Sequence, residues 1–256
     1  MPGSGVIVLK FGGSVLTSER AVDDAVAEIQ RWRARGHQVV AVVSAINGDT
    51  ERLLHVASDF GPNVSSWSVA ALAAIGELRS AALLGLALGK ADERHRVLDA
   101  GAIALQAAGD PLDADPVHVD RQVLIDALED EDVVVVPGYV ARDDHDRTVL
   151  LGRGGSDLTA IVLADAIPGA QCRLIKDVPG IYEWDPAAPG PQPRRYVTMP
   201  WSSAHGIDGS VLQHKAVRYA ERSNLVIEVA SLGEDDVTSI GPWPQSFEHT
   251  QETSAA

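Results

Sequence analysis

Cysteine is nearly absent from this chain. Cys172 stands alone in 256 residues, which excludes an internal disulfide. Its neighbours Leu174 and Ile175 place it in a strand, as a structural thiol of a reducing compartment. Basic residues are scarce too. Lys and Arg number 21 against 36 Asp and Glu, for a net charge of -15. Such a surface argues against a nucleic-acid or anionic-membrane partner. It does not exclude an anionic small molecule, because local cations and helix termini decide that. No apolar run is long enough to span a bilayer, and Met1 to Gly5 lack the charged start and apolar core of a signal peptide. The expected location is cytoplasmic. No internal repeat is present.

What remains is ordinary globular composition, with 45% hydrophobic and 22% charged residues. A chain of 256 residues makes one large domain or two closely packed lobes. Val6 to Phe11 is an unbroken apolar run apart from Lys10, as expected of a strand buried on both faces. A helix follows from about Ser18 to Ala34, with Val22, Val26, Ile29 and Trp32 on one stripe, then a second buried strand, Gln38 to Val43. This order is the βαβ signature of a parallel sheet. A helix is expected from Asp49 or Thr50 to Asp59. A longer one, from Ser65 or Ser66 to Leu88, holds Gly76-Glu77 inside an apolar surround. Glu77 therefore sits on a polar edge or points at a ligand. Val97 to Asp99 reads as a short strand and residues 106–118 as a surface loop. A helix over Arg121 to Glu129 and a third buried strand, Val133 to Val136, come next. Tyr139 to Leu151 reads as a hairpin with Asp143-Asp144-His145-Asp146 at its tip, a solvated turn rather than a metal site. A helix over Leu158 to Ile167, a parallel strand over Cys172 to Lys176, a loop over 187–193, a helix over Gly209 to Arg222 and a strand over Asn224 to Ala230 complete the core. Val237 to Ile240 is an edge strand, and residues from Pro242 form a disordered tail.

Four strands end in glycine-rich or carboxylate-bearing turns: Gly12-Gly13-Ser14, Ser44-Ala45, Arg153 to Asp157, and Asp177 to Gly180. Ligands of open parallel sheets bind at the carboxyl ends of strands, so these turns should line one crevice. Around Arg153 the elements converge. Gly154 and Gly155 allow close backbone approach, Ser156 or Asp157 can cap the following helix, and the guanidinium can grip a carboxylate with two parallel hydrogen bonds. Lys10 breaks an otherwise apolar strand, which is costly unless it is paired or faces a ligand. One reading is a strand-end ion pair. The other is a point charge on a transferring phosphoryl group, with Gly12 and Gly13 amides around the phosphate oxygens. The standard phosphate motifs are absent: there is no Gly-x4-Gly-Lys-Ser/Thr, no Gly-x-Gly-x-x-Gly after a strand and no protein-kinase catalytic loop.

Lys10-Phe11-Gly12-Gly13-Ser14, Val42 to Ala45, Gly76-Glu77, Leu151 to Ala160, and Asp177 to Tyr182 with Asp185-Pro186 resemble, in order and spacing, the aspartate kinase branch of the amino acid kinase family. The resemblance covers about residues 6–241. It implies an α/β fold, a three-layer αβα sandwich with a mainly parallel central sheet. Residues 1–165 would form the acceptor lobe, 166–241 the nucleotide lobe and 242–256 the tail. The implied partners are an amino acid and ATP with Mg²⁺, and the implied assembly is a homodimer. The reaction would move the γ-phosphoryl of ATP to a side-chain carboxylate, giving an acyl phosphate. By position Lys10 would stabilise the phosphoryl group, and Arg153, with Gly154 and Gly155, would bind the acceptor α-carboxylate. Glu77 and Asp157 would hold its ammonium or order the site, and Ser14, Ser44 and Ser156 would add hydrogen bonds. Gly12, Gly13, Lys176, Asp177, Ile181, Tyr182 and Asp185 would line the nucleotide site. No resident metal ligand is implied.

Three departures stand out. Ser14-Val15 replaces the family's Thr-Ser pair, Ala187 stands where an arginine usually follows Asp-Pro, and Ser210 stands where a lysine faces the nucleotide. Two ATP-side cations are thus missing, and Lys215 or Arg194-Arg195 are the residues available to compensate. Two further readings follow: a non-catalytic binding paralogue that regulates a true kinase, or a kinase for another carboxylate. The chain also stops where aspartate kinases continue into a pair of regulatory (ACT) domains, so feedback control of that form is not expected.

Overall fold

Residue alternation in three buried strands sets up the layers. The computed structural model describes residues 5–207 and 211–248. In β1 (Val6–Phe11), β2 (Gln38–Val43) and β6 (Val133–Pro137), even-numbered residues such as Val8, Val40 and Val134 enter one apolar cluster. Odd-numbered ones such as Ile7, Leu9, Val39 and Val135 enter the other. Both faces are dry, which is why these strands read as continuous apolar runs. Helices α1 (Val22–Ala34) and α4 (Ile75–Lys90) cover the odd face. Helices α5 (Arg121–Asp130), α6 (Gly155–Ala166) and α8 (His214–Arg222) cover the even face. The result is the expected αβα sandwich.

Nine strands make the central sheet, in the order β13-β10-β12-β11-β9-β1-β2-β6-β3. Here β3 is His95–Val97, β9 Gln171–Lys176, β10 Tyr196–Pro200, β11 Ile227–Ser231, β12 Val237–Gly241 and β13 Ser246–Phe247. Pairing is parallel except between β11 and β12 and between β10 and β13. The register of β1 sets Lys10 beside Val42 of β2 and Leu174 of β9.

Several expectations are corrected. Residues 106–118 are not a loop. They form β4 (Gln106–Asp110) and β5 (Asp113–His118), which join β7 (Val140–Arg142) and β8 (Thr148–Leu150) in a second, four-stranded sheet. Their inward side chains are only Ala107 and Ala114, too small to give an apolar alternation. Val237 to Gly241 is not an edge strand, because β10 and β13 lie outside it. The tail beyond Pro242 is ordered at β13, where Phe247 packs on Tyr196 with ring centroids 4.5 Å apart; residues 249–256 lie outside the described residues. The last helix begins at His214 rather than Gly209, and residues 208–210 also lie outside the described residues.

The long helix is divided at Ala74 into α3 (Ser66–Ala73) and α4. Taken together, Ser66–Lys90 is long and apolar enough to cross a bilayer, against the expectation that no such run exists. Its inward face is Gly76, Glu77, Ser80, Ala81, Leu84, Gly85 and Leu88, all buried, so it serves as a core helix pair. Of the rest, α2 is Asp49–Ser58 and α7 is Trp201–Ala204.

Candidate active site

Lys10 stands on the even face at the carboxyl end of β1, directly beneath the first turn of α6. Its Nζ lies 2.6 Å from Asp157 Oδ1, a close ion pair without hydrogen-bond alignment. Lys176 ends β9, two residues beyond the partner of Lys10, so strand alternation returns it to the same face. Lys176 Nζ donates to Asp157 Oδ2 at 2.9 Å. One carboxylate therefore bridges two ammonium groups, with all three side chains buried or nearly so. Burial pushes the Lys10 ammonium down to about 8; Asp157 favours its charge and the neighbouring Lys176 opposes it. Burial also works against the charge of Asp157, but the two lysines outweigh it and hold its carboxyl at about 2.

The turns around this cluster hold each other. After β1 the chain turns at Gly12, whose carbonyl accepts from Val15 and Leu16 at 3.0 and 2.9 Å. A Cβ on Gly12 would lie 3.0 Å from Lys10 Nζ, so glycine leaves the ammonium its place. Ser44 N donates to Phe11 O, and Gly138 N donates to Val43 O, tying the ends of β1, β2 and β6 together. Gly154, with φ of 74°, is the residue that caps α6, not Ser156 or Asp157. Both of those lie inside the first turn and are buried. A Cβ on Gly138 would come within 2.9 Å of the Ser156 backbone, which explains the bare residue there.

A cleft of about 1060 Å³ opens beside this cluster. Lys10, Gly12, Gly13, Ser14, Lys176, Asp177, Ile181, Tyr182 and Asp185, all anticipated, line it together. Residues that sequence reasoning missed complete its walls, among them Trp184, Tyr196, Ser203 and Val211. The first stands inside the Asp177 to Pro186 motif and was available to sequence. The others come from β10 and the segments after it, where no apolar alternation marks a strand.

The remaining anticipated residues do not line this cleft. Arg153 is exposed and has no ion-pair or hydrogen-bond partner among the described residues. Ser44 is half-buried, and Ser156 is buried against Gly138. Glu77 is 3% exposed in the first turn of α4, so it does not sit on an exposed polar edge. Its Oε1 accepts from Thr50 Oγ1 at a long 3.4 Å, and Oε2 has no partner. Burial raises its carboxyl to about 7, and the nearby Ala45 and Glu77 amides and Thr50 offset that only in part. Tyr139 was not anticipated. It holds φ of 70°, rare for a bulky side chain, with its ring against Gly155 and its amide donating to Thr159 Oγ1 at 3.0 Å.

Glu77 gives a stability prediction. Its folded carboxyl lies above its unfolded value, so stability is lost as pH rises from about 4.5 through about 7. Glu77→Gln should therefore melt higher than wild type at pH 8, with the difference gone at pH 4, where both side chains are neutral. Equal melting at pH 8 would show that Glu77 is solvated and not strained.

The three residues expected to compensate on the ATP side already have protein partners. Lys215 donates to Asp113 Oδ1 and Ala114 O, each at 2.8 Å. Arg194 pairs with Glu183 at 2.8 Å, and Arg195 donates to Val237 O at 2.6 Å beside Glu248. Ala187 is exposed, and Ser210 lies outside the described residues. Val15 is buried in the apolar layer with Phe11 and Leu16. At the hairpin tip, Asp143, Asp144 and His145 bring ligand atoms within 4.8 Å of one another. The Asp143 carboxylate already accepts from the His145 and Arg147 amides, the Arg147 guanidinium and Trp67. Cys172 is buried in β9, where burial pushes its thiol well above the usual range, so it is inert.

Comparison with known proteins agrees with this architecture. Helicobacter pylori (strain ATCC 700392 / 26695) aspartokinase is 33% identical over 181 residues, covering 71% of this chain and 45% of that protein. Bacillus subtilis (strain 168) aspartokinase 2 is 30% identical over 257 residues, covering 92% of this chain and 58% of that protein. The chain thus spans about half the length of the curated relatives it matches. The aspartate kinase structure from Synechocystis superposes with a TM-score of 0.80 at 29% identity, over 93% of this chain and 40% of that one. The UMP kinase structure from Bacillus anthracis, 17% identical with a TM-score of 0.68, shares the fold over 97% of this chain and all of that one. The family model described as the amino acid kinase family matches residues 5–231, and this chain belongs to that family.

Proposed function

We propose that this chain is an aspartate-kinase-like phosphotransferase, moving the γ-phosphoryl group of MgATP to the side-chain carboxylate of aspartate or a related amino acid. The observation that carries this reading is the buried Lys10–Asp157–Lys176 cluster at the mouth of a cleft of nucleotide size. Two ammoniums share one carboxylate, so the cluster keeps an excess positive charge where water is scarce. A polyanion suits that place, and phosphoryl transfer asks chiefly for positioning and charge neutralisation. Gly12 and Gly13 leave room for phosphate oxygens to approach the backbone beside Lys10. Ile181, Tyr182 and Asp185 would line the nucleotide, with Mg²⁺ carried on its phosphates.

In this reading the acceptor approaches from the other side of Lys10. Arg153, which has no partner among the described residues, binds its α-carboxylate, and the unpartnered Glu77 oxygen takes its ammonium. Residues 1–165 then serve the acceptor and 166–241 the nucleotide. Assembly as a homodimer and a cytoplasmic setting belong to the same proposal. The alternative of a non-catalytic binding paralogue is favoured by one observation: Lys215, Arg194 and Arg195 are all engaged with protein acceptors. The test is ADP release in a coupled assay over a panel of acidic amino acids. Release that depends on one of them supports the kinase. Tight aspartate binding with no nucleotide binding and no release supports the paralogue. Turnover of another carboxylate in strong preference to aspartate would redirect the acceptor.

A further inference from the structure

Among the described residues, the cleft is lined by two cations only, Lys10 and Lys176. Both reach the same carboxylate from neighbouring strands, at 2.6 and 2.9 Å. Next to Asp185 and Pro186 of the cleft wall stands the uncharged Ala187. We propose that Lys176, at the end of β9, supplies the second cation of the phosphoryl-transfer site. This rests on the kinase reading given above.

The chemistry is a straightforward balance of charge. The bond from the γ-phosphorus to the β,γ-bridging oxygen breaks, and the electron pair leaves with ADP. A bond from an acceptor carboxylate oxygen to the same phosphorus forms, and no proton need move. Negative charge stays on the equatorial oxygens and grows on the leaving oxygen. Lys10, beside the Gly12 turn, serves one side of that charge. Lys176 adjoins Asp177 and the loop to Pro186, which line the same cleft, and in this proposal it serves the leaving oxygen. Asp157 sets the two ammoniums at a fixed separation before any ligand arrives, which limits the reorganisation needed. A structural ion pair would need one lysine for one carboxylate. The second ammonium has no other anionic partner among the described residues, so it has charge to spare for an anion in the cleft.

The experiment is calorimetric titration of wild type, Lys176→Met and Lys176→Arg with the magnesium complex of a non-hydrolysable ATP analogue, and separately with AMP. Losing a charge-assisted phosphate contact should weaken the triphosphate analogue at least about tenfold in Lys176→Met. AMP affinity should stay within about twofold, since AMP does not reach the transfer site, and that retention also reports an intact fold. Lys176→Arg should recover most of the analogue affinity. In ADP release, kcat should fall about 10²-fold in the methionine variant. If Lys176→Met binds the analogue and AMP as wild type does, the assignment of Lys176 is overturned while the kinase reading stands. If wild type itself binds no triphosphate analogue, both fall together.

Discussion

Lys10→Ala is expected to lower kcat about 10²–10³-fold, with a far smaller change in acceptor affinity. That is the usual cost of removing one preset donor from developing negative charge in a dry site. Lys10 is buried, touches Asp157 at 2.6 Å, and has Gly12 beside it where any side chain would crowd its ammonium. Its function also has a pH signature. The ammonium is pushed down to about 8 and must be charged to act, so kcat/KM in wild type should fall as pH rises through about 8. Glu77, at about 7, must be ionised to hold an acceptor ammonium, so kcat/KM should also fall as pH drops below about 7. A narrow bell between these limbs is expected from initial rates over pH 5.5 to 10. The acid limb should be missing in Glu77→Gln. A flat profile across that range would remove both residues from their assigned roles.

Asp157→Asn should be the most destabilising single change in the site. The wild-type carboxylate is 3% exposed and neutralises part of two ammonium charges. Removing one partner of a buried ion pair costs about 3–5 kcal/mol, because the remaining charge is left without compensation. Asp157 stays ionised above about pH 2, so wild type keeps its pairing throughout the working range. In the variant, Lys10 can relieve the strain by losing its proton. The deficit in urea-unfolding free energy should therefore be full at acid pH and shrink as pH rises toward 8, above which the wild-type Lys10 also loses its proton and the difference stays constant. A variant as stable as wild type at pH 6 would mean that the cluster is hydrated and not buried.

Much of this arrangement could be read from single residues out of pattern. Lys10 in an apolar strand, two glycines after it, and a glutamate in an alanine-rich helix are each expensive choices, and the first two line the cleft. The buried strands β1, β2 and β6 were equally legible, because a strand covered on both faces leaves a continuous apolar run. Other features left no local trace. The hairpin β4–β5 turns only alanines inward, and its short, polar remainder reads as loop. Strand β10 is held by β12 and β13, which are distant in sequence. Tyr139 gives no sign of its positive φ, since that conformation is imposed by the turn between Gly138 and β7. The double pairing of Asp157 is also invisible locally. It depends on the register of β1 with β9 and on α6 starting at Gly155, one position that a capping argument from Ser156 or Asp157 sets wrongly.

The acyl phosphate itself is the most direct thing to look for. Wild type incubated with MgATP, aspartate and hydroxylamine should accumulate the amino-acid hydroxamate in step with ADP. The signal should need the acceptor and should be lost in Lys10→Ala. ADP formed at the same rate without any acceptor, or no hydroxamate above the Lys10→Ala level with any acidic amino acid, would contradict phosphoryl transfer to a carboxylate at this site.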